Sequence, residues 1–277
     1  MKYSITLASF RNLEPVGRTV ARLAKTGLDA LEMFGEPDAV DMVKLNDLLS
    51  THRIPVCGIT GMWGSINKDG WKRRLLSSDQ KLVKISKKYV KDCVRMCNLL
   101  GGREMNICLF SDDKPLFDPT HSVVSRQHKE KMARRAAPML SELCRFAADH
   151  GVQLTLEPLN RYSTPYCSTV RDALEIVRLV NSDSMGLLLD TFHMNIEEDS
   201  FEDAIQRTGR VLKHMHFADN NRKMPGFGHI DFRTIMRSLR KASYNGYVSF
   251  EPNISGKNYE YDLKQSLEFV KSMNTSF

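Results

Sequence analysis

Short apolar runs rich in β-branched residues alternate along the whole chain with longer segments whose apolar residues recur at helical spacing. Eight runs have the pattern of buried strands: residues 3–9, 30–34, 56–62, 104–110, 152–159, 185–193, 211–219 and 247–252. The helical segments that follow them are residues 15–25, 40–52, 78–100, 129–150, 170–180, 201–207, 232–242 and 260–273. Each predicted strand is therefore followed by a predicted helix.

Eight β/α units joined by short connections favour a closed barrel over an open sheet. Parallel strands need helical crossovers, and closure leaves no strand edge exposed. An open, doubly wound sheet is the competing architecture, but the first strand is not followed by the G-x-G-x-x-G turn that binds dinucleotides in such folds. No linker-like stretch divides the chain, so we predict a single (β/α)8 TIM barrel domain over residues 1–277.

The composition is that of a folded protein, with 42% hydrophobic and 26% charged residues. No apolar run approaches the roughly 18–20 residues that a bilayer crossing needs, and the first residues enter a strand pattern without a signal-peptide stretch. We therefore expect a cytoplasmic protein without a membrane partner. The six cysteines show no zinc-site or disulfide-framework spacing and lie mostly in apolar segments, so reduced, buried thiols are expected.

Basic residues exceed acidic ones by 7 (40 − 33), and the segment 68–103 holds more than this excess. One interpretation is an anion-binding face for nucleic acid or a phosphorylated substrate. The other is the solvated flank of a helix, or a contact with an acidic neighbouring subunit. We favour the second interpretation, because runs of charge usually form solvated faces.

The last four predicted strands each carry an ionisable residue near the carboxyl end, where the working side chains of such barrels project. These residues are Glu157, Asp190, His216 and Glu251. Each alone could cap a helix or be a satisfied core residue. Three carboxylates meeting at one barrel mouth would repel one another unless a cation held them, and oxygen and nitrogen donors suit a divalent ion. We therefore predict a metal site for Mn²⁺, Mg²⁺ or Co²⁺ rather than a structural zinc site.

Two further candidates follow these ligand strands. His193 comes three residues after Asp190, and Arg222 lies in the loop after His216. The forked guanidinium of Arg222 is suited to binding substrate oxygens. The same loop continues to Gly226 and Gly228, which would allow the backbone to approach a small ligand closely.

The second half of the chain resembles the D-tagatose/D-psicose (allulose) 3-epimerase group within the xylose-isomerase-like TIM barrels. The resemblance is carried by residues 157–162, 190–195, 216–222, 225–231 and 250–251. It implies a single ion, most often Mn²⁺ with Co²⁺ or Mg²⁺ as alternatives, bound by Glu157, Asp190, His216 and Glu251. It also implies that His193 and Arg222 contact a keto sugar, and that the protein is a homodimer or homotetramer.

One position departs from the pattern of that group. Those epimerases usually carry a second glutamate six residues after the first, where it holds a substrate hydroxyl, and this chain has Ser163 there. A serine can form a hydrogen bond but supplies no charge. The contacts that hold the reacting end of the sugar must therefore differ from those in the group. The preferred sugar is left open.

Epimerisation of a ketose at C3 needs a Lewis acid and two bases. An ion that binds the C2 carbonyl and C3 hydroxyl oxygens stabilises the developing enediolate. Inversion removes the proton from one face and returns it to the other, so we predict that Glu157 and Glu251 exchange the roles of general base and general acid. The expected function is a metal-dependent ketose 3-epimerase acting on a free ketohexose or related keto sugar.

Three other functions remain as alternatives. An aldose–ketose isomerase, such as a hydroxypyruvate isomerase, would use a similar site with the substrate placed differently over the ion. A DNA-repair nuclease like the apurinic endonucleases would need three metals and additional histidines, which the strands 56–62 and 104–110 lack, so no nucleic-acid partner is expected. A catalytically silent sugar sensor is the third.

The first half of the chain offers fewer candidates. Glu32 either lines the pocket or orients a metal-bound group, and Trp63 either lines the pocket or packs under a loop. The longest irregular segment, residues 111–127, follows the fourth strand and is expected to help cover the site.

Overall fold

A computed structural model of the chain describes residues 1–10, 13–62, 69–112, 124–256 and 258–275, and its centre is a closed barrel of eight parallel strands. The strands are β1 Lys2–Thr6, β2 Ala30–Phe34, β3 Val56–Thr60, β4 Glu104–Ile107, β5 Gln153–Leu156, β6 Met185–Asp190, β7 Leu212–Phe217 and β8 Tyr247–Phe250. Each strand pairs with the next in the chain, and β8 closes the barrel on β1, with Tyr247 opposite Lys2. The predicted (β/α)8 architecture is confirmed.

Helices follow the strands and surround the barrel. They are α1 Val16–Leu23, α2 Met42–His52, α3 Gln80–Leu99, α4 Arg126–Asp149, α5 Val170–Val180, α6 Thr191–Glu197, α7 Phe201–Thr208, α8 Phe232–Lys241 and α9 Tyr259–Thr275. Side chains cap the N-termini of several helices. Thr169 and Asp172 form a reciprocal capping box at α5, and Ser125 caps α4. In the described ranges, none of the helices combines the length and apolar composition that a membrane crossing requires.

Most predicted strands extend beyond the residues that pair in the barrel. In the segment 185–193, for example, β6 ends at Asp190 and residues 191–193 begin α6. The Asp190 carboxylate accepts a hydrogen bond from the Phe192 N–H at 2.6 Å and so caps this helix. Leu109 and Leu159 are likewise fully buried but lie beyond the ends of β4 and β5. The apolar pattern therefore predicts correctly which residues are buried, but it predicts strands that are longer than those observed.

The two faces of the strands differ in chemistry. One set of alternating residues is apolar and fully buried, including Ile5, Met105 and Val248. Many of the intervening residues are polar and meet across the barrel: Thr6 contacts Thr60 through their hydroxyls at 3.1 Å, and His214 on β7 contacts Glu104 on β4 at 2.8 Å. Because side chains alternate along a strand, the apolar set faces the helices and the polar set fills the barrel interior.

The described part of the basic segment, residues 69–103, includes α3, and carboxylates neutralise many of its charges. Lys88 and Arg95 pair with Asp92 at 2.6 and 2.8 Å, and Lys91 pairs with Glu142 of α4 at 2.9 Å. These pairs support the interpretation of a solvated helix flank. All six cysteines are buried and free, and burial raises the pKa of each thiol, as expected for reduced cysteines in apolar surroundings.

Candidate metal and active site

The structure brings together, at the carboxyl end of the barrel, the four side chains proposed as metal ligands. One donor atom from each of Glu157, Asp190, His216 and Glu251 lies within 4.8 Å of the donors of the other three. Asp190 and His216 belong to β6 and β7, while Glu157 and Glu251 directly follow β5 and β8. The backbone N–H groups of the two glutamates still donate to carbonyls of the neighbouring strands. The barrel therefore holds the backbone from which both side chains project.

The donor set fits a divalent cation. His216 Nδ1 is fully buried, lies 3.1 Å from Glu251 and 4.0 Å from Glu157, and makes no hydrogen bond. Its other nitrogen, Nε2, lies 3.0 Å from Glu32. Burial acts to lower the pKa of His216, but the charges of Glu32 and Glu251 outweigh it and raise that pKa well above its usual range. A cation that displaced the Nδ1 proton would leave Nε2–H facing Glu32 and the Nδ1 lone pair facing the acidic cluster, which is the arrangement of a metal-binding imidazole. Three carboxylates beside this lone pair provide the remaining hard oxygen donors.

The two glutamates of the cluster have pKa values displaced in opposite directions. Burial, reinforced by the charges of Glu251 and Asp190, raises the pKa of Glu157 to about 8. Burial also acts to raise the pKa of Glu251, but His216 and Arg222 outweigh it and hold that pKa well below its usual range. Such separation is typical of acid–base pairs. A bound cation would favour the ionised form of both carboxylates.

Arg222 reaches across the mouth to two of the proposed ligands. Its guanidinium lies 2.5 Å from Asp190 Oδ2 and also forms a short ion pair with Glu251. The guanidinium carbon lies 4.8 Å from the centre of the Phe192 ring, which limits the positions that the side chain can take. Arg222 is therefore placed where its donors can reach oxygens bound above the carboxylates.

His193 faces the cluster as a neutral hydrogen-bond donor. The backbone N–H of Asn160 donates to His193 Nδ1 at 3.2 Å, and the Asn160 side-chain amide lies 2.8 Å from the same atom. Burial lowers the pKa of His193 to about 4, so the ring carries one proton, on Nε2. This nitrogen points toward Glu157, with 3.9 Å between Nε2 and Oε1.

The first half of the barrel contributes side chains that hold the proposed ligands. Glu32 of β2 contacts His216 and accepts a hydrogen bond from the Ser249 hydroxyl at 2.8 Å, in keeping with the orienting role considered for it. Asn106 of β4 donates to Glu157 Oε2 at 2.6 Å. Sequence analysis did not identify Asn106. The available signal was its polar side chain between Met105 and Ile107, on the strand face that points into the barrel.

The glycines of the β7–α8 loop stabilise the conformation of the loop through hydrogen bonds to Asp219. The buried Asp219 accepts hydrogen bonds from the N–H groups of Gly226 and Gly228 at 3.0 and 2.9 Å. A Cβ atom on Gly228 would lie 2.3 Å from Asp219 Oδ1, so this position excludes larger residues. The close backbone approach expected from the sequence is therefore an approach to Asp219, which shapes the loop that carries Arg222.

A cavity of about 330 Å³ opens above the cluster, within the size range of small-molecule sites. His193, Arg222 and Glu251 line it, together with Ser163 and residues at the ends of β1 and β3. The Ser163 hydroxyl lies 3.4 Å from the side-chain oxygen of Asn160. Trp63 and residues 113–123 of the predicted covering segment lie outside the described residues.

Known proteins share both the sequence and the fold. Residues 20–273 match the family model described as Xylose isomerase-like TIM barrel. The D-psicose 3-epimerase of Ruminiclostridium cellulolyticum is 30% identical over 235 residues, which cover 84% of this chain and 76% of that protein. The D-psicose 3-epimerase of Agrobacterium fabrum is 37% identical over 131 residues, covering 47% of this chain and 45% of that protein.

A solved structure shows the same architecture over the full length. The D-psicose 3-epimerase of Clostridium cellulolyticum H10, crystallised with D-tagatose, superposes with a TM-score of 0.83 at 24% identity and covers 100% of both chains. At this identity the likeness shows the fold alone, and the sequence matches supply the family. The chain belongs to the xylose isomerase-like TIM barrel family, within its D-psicose/D-tagatose 3-epimerase group, and is an enzyme of the isomerase class.

Proposed function

We propose that this protein is a metal-dependent ketose 3-epimerase that removes and returns the C3 proton of a keto sugar through an enediolate. The single observation that carries the proposal is the convergence of Glu157, Asp190, His216 and Glu251 at one barrel mouth. Relatives named D-psicose 3-epimerase and ketose 3-epimerase support the reaction class.

The four converging side chains would hold the cation, and the lone pair of His216 Nδ1 makes the set suitable for Mn²⁺ or a similar ion. When bound, a divalent ion supplies Lewis acidity to a vicinal carbonyl and hydroxyl. Glu32 would keep the His216 ring in its ligating tautomer, because the Nε2 proton has a carboxylate partner at 3.0 Å.

Two carboxylates can perform the proton transfers. We assign Glu157 and Glu251 to these roles because their donor atoms lie within 4.8 Å of each other in the cluster, at whose edge Glu251 lines the cavity, and because each has its own set of restraining partners. Asn106 fixes one oxygen of Glu157, while Arg222 and His216 fix Glu251. Each carboxylate would take the proton from its own face of C3, so that return from the opposite carboxylate inverts the centre.

His193 and Arg222 would bind the substrate oxygens. The neutral ring of His193 offers an Nε2–H donor, and the guanidinium of Arg222 offers positive charge where negative charge develops on the sugar. Both donors are held by neighbouring groups before substrate arrives. Positioned in this way, they lower the cost of ordering the site during the reaction.

The alternative of an aldose–ketose isomerase uses the same groups. The two reactions differ in where the substrate lies over the ion, while Ser163, which lines the cavity, bears on the preferred sugar more than on the type of reaction. The nuclease alternative loses support in the described part of the chain. There, a second group of side chains could also hold a metal: Glu32, His214 and His216. This group shares His216 with the first group and is buried in the barrel interior, so it does not add the separate metal sites at the mouth that such a nuclease needs.

Metal analysis of the purified protein, combined with a ketose panel, tests the proposal. D-fructose, D-tagatose and hydroxypyruvate would be incubated in D₂O, and the products separated by chromatography and checked for deuterium by NMR. We expect about one divalent ion per chain, C3 epimers carrying deuterium at C3, and loss of turnover after chelation that added Mn²⁺ reverses. Aldose products without C3 epimers would instead establish the isomerase.

The assembly and location remain proposals of the same kind. We infer a homodimer or homotetramer from the family resemblance alone, and we keep the cytoplasmic location as an expectation from the sequence pattern. Sedimentation velocity on the metal-loaded protein would determine the assembly, and a single sedimenting monomer would contradict it.

A further inference from the structure

A second cavity of about 520 Å³ lies beside the catalytic mouth. Its walls come from the β7–α8 loop and from the segment that joins β8 to α9. Pro252 and Asn253, which directly follow Glu251, line both this cavity and the one above the metal cluster. The two spaces are therefore adjacent, with Pro252 and Asn253 as their common wall.

The shared wall is tied to the catalytic groups. The backbone N–H of Asn253 donates to the carbonyl of Arg222 at 2.6 Å, and Lys223, the next residue, lines the second cavity. A ligand that occupied the second cavity would contact the same two chain segments that position Arg222 and Glu251. Occupancy there could consequently orient a substrate over the proposed ligands.

The floor of the second cavity is rigid. Tyr259 is 3% exposed, packs edge-on against Phe10 with ring centres 4.7 Å apart, and donates its hydroxyl to Glu14. The guanidinium of Arg22 lies 4.4 Å from the centre of the same ring. A floor held from several sides needs little reorganisation when a ligand binds.

The rim of the cavity combines exposed aromatic faces with polar groups. Tyr261 and Phe227 are 68% and 41% exposed and both line this cavity, so two aromatic rings are open to a ligand there. Asn258, Asp262 and Lys223 add hydrogen-bond donors and acceptors. An aromatic face attracts the partly positive C–H edge of a saturated ring, and the polar groups can bind its hydroxyls. This combination suits a sugar ring.

We propose that the second cavity is a subsite for a second sugar ring, so that the substrate class includes ketoses carrying a glycosidic substituent. This inference rests on the proposed function of the first site. The mouth cavity has room for one monosaccharide, and a free ketohexose would leave the second cavity without a role. The exposed ring of Tyr261 would stack on the substituent.

Kinetics on matched substrates test the subsite. D-fructose would be compared with lactulose and isomaltulose, which carry a sugar on O4 and O6 of fructose and keep the C2 carbonyl and the C3 hydroxyl free. We expect Tyr261→Ala to lower kcat/KM for at least one disaccharide roughly three- to tenfold, mainly through KM, and to leave the value for D-fructose unchanged. Tyr261→Phe retains the ring and should keep wild-type disaccharide activity.

Binding provides a readout that does not depend on turnover. In saturation-transfer NMR with the Glu157→Gln variant at saturating Mg²⁺, a diamagnetic ion, protons of both rings of the preferred disaccharide should receive saturation from the protein. Adding Tyr261→Ala should remove the signal of the second ring selectively.

The outcomes separate the subsite from the epimerase assignment. Equal effects of Tyr261→Ala on D-fructose and on disaccharides, or saturation confined to the fructose ring, would overturn the subsite while leaving the epimerase intact. A change of oligomeric state in Tyr261→Ala would also overturn it, because the cavity would then be a subunit interface. If no ketose of either kind is epimerised, the proposed function fails, and saturation of both rings would still support a two-ring site.

Discussion

The two halves of the barrel contribute differently to the site. Strands β5–β8 and the residues just after them provide the groups that meet at the mouth: Glu157, Asp190, His216 and Glu251. Strands β1–β4 provide side chains that hold those groups, namely Glu32 against His216 and Asn106 against Glu157. Side chains in the first half of the barrel thus add restraints to chemistry that lies in the second half, because closure brings the two halves face to face.

A similar contrast appears between two arginine–carboxylate pairs. In the first half, Arg73 pairs with Glu36 at 2.6 Å, and both side chains are at most 5% exposed. In the second half, Arg222 pairs with Asp190 and Glu251 at the wall of the cavity. The Arg73–Glu36 pair joins the segment after β2 to the segment before α3, whereas Arg222 lies among the proposed ligands. Removing the first pair should therefore lower stability, and changes at the second should affect activity.

The largest expected effect is the loss of turnover when either proposed acid–base residue becomes an amide. Glu157→Gln or Glu251→Gln should lower kcat roughly 10³-fold or more, because each change removes a proton-transfer group and weakens the metal site. Chromatographic assay with saturating Mn²⁺ measures the loss, and circular dichroism checks that the fold is retained. Full activity in either variant would refute the two-base assignment.

The next effect concerns stability in the first half. Arg73→Met should lower the free energy of unfolding by about 3–5 kcal/mol, because it leaves the buried Glu36 carboxylate without its partner. Urea unfolding followed by circular dichroism measures this cost. The double variant Arg73→Met/Glu36→Gln is the matched control and should recover most of the loss. A double variant as unstable as the single one would show that the charge pairing is not the cause.

A smaller effect should follow from loosening the restraint on His216. Glu32→Gln should weaken metal affinity roughly 10–100-fold, because the Nε2 proton loses its carboxylate partner and the ligating tautomer is less favoured. Competition with a chelator measures the affinity, and Ser249→Ala should show a weaker form of the same defect. If activity at saturating metal stays as low as in Glu157→Gln, the division of roles between the two halves is wrong.

The smallest effect is expected on the exposed basic flank of α3. Lys88→Ala removes one side of a solvent-exposed pair with Asp92, and such pairs contribute little to stability. Neither the thermal midpoint nor kcat/KM for a ketose should change measurably. A marked fall in kcat/KM for phosphorylated ketoses alone would reinstate the interpretation of this flank as an anion-binding face.

Local pattern in the sequence was sufficient for the eight-unit barrel and for the four candidate ligands. Strand alternation, helical spacing and the position of an ionisable residue at the end of an apolar run depend on near neighbours in the chain. The ends of the strands were harder to predict. Residues 185–193 include polar Asp190 and Thr191 followed by apolar Phe192, a pattern that does not show where the strand ends. The capping geometry of Asp190 shows that β6 ends there and that α6 begins at the next residue.

Tertiary structure alone decided which polar side chains meet. Glu32 and His216 are 184 residues apart, and Asn106 and Glu157 are 51 apart, yet both pairs are in hydrogen-bonding contact inside the barrel. Their meeting depends on the stagger of the strands and on closure of β8 against β1, which no local window of sequence contains. The chain's own pattern thus determined the barrel and the candidate ligands, while long-range packing decided which side chains restrain them.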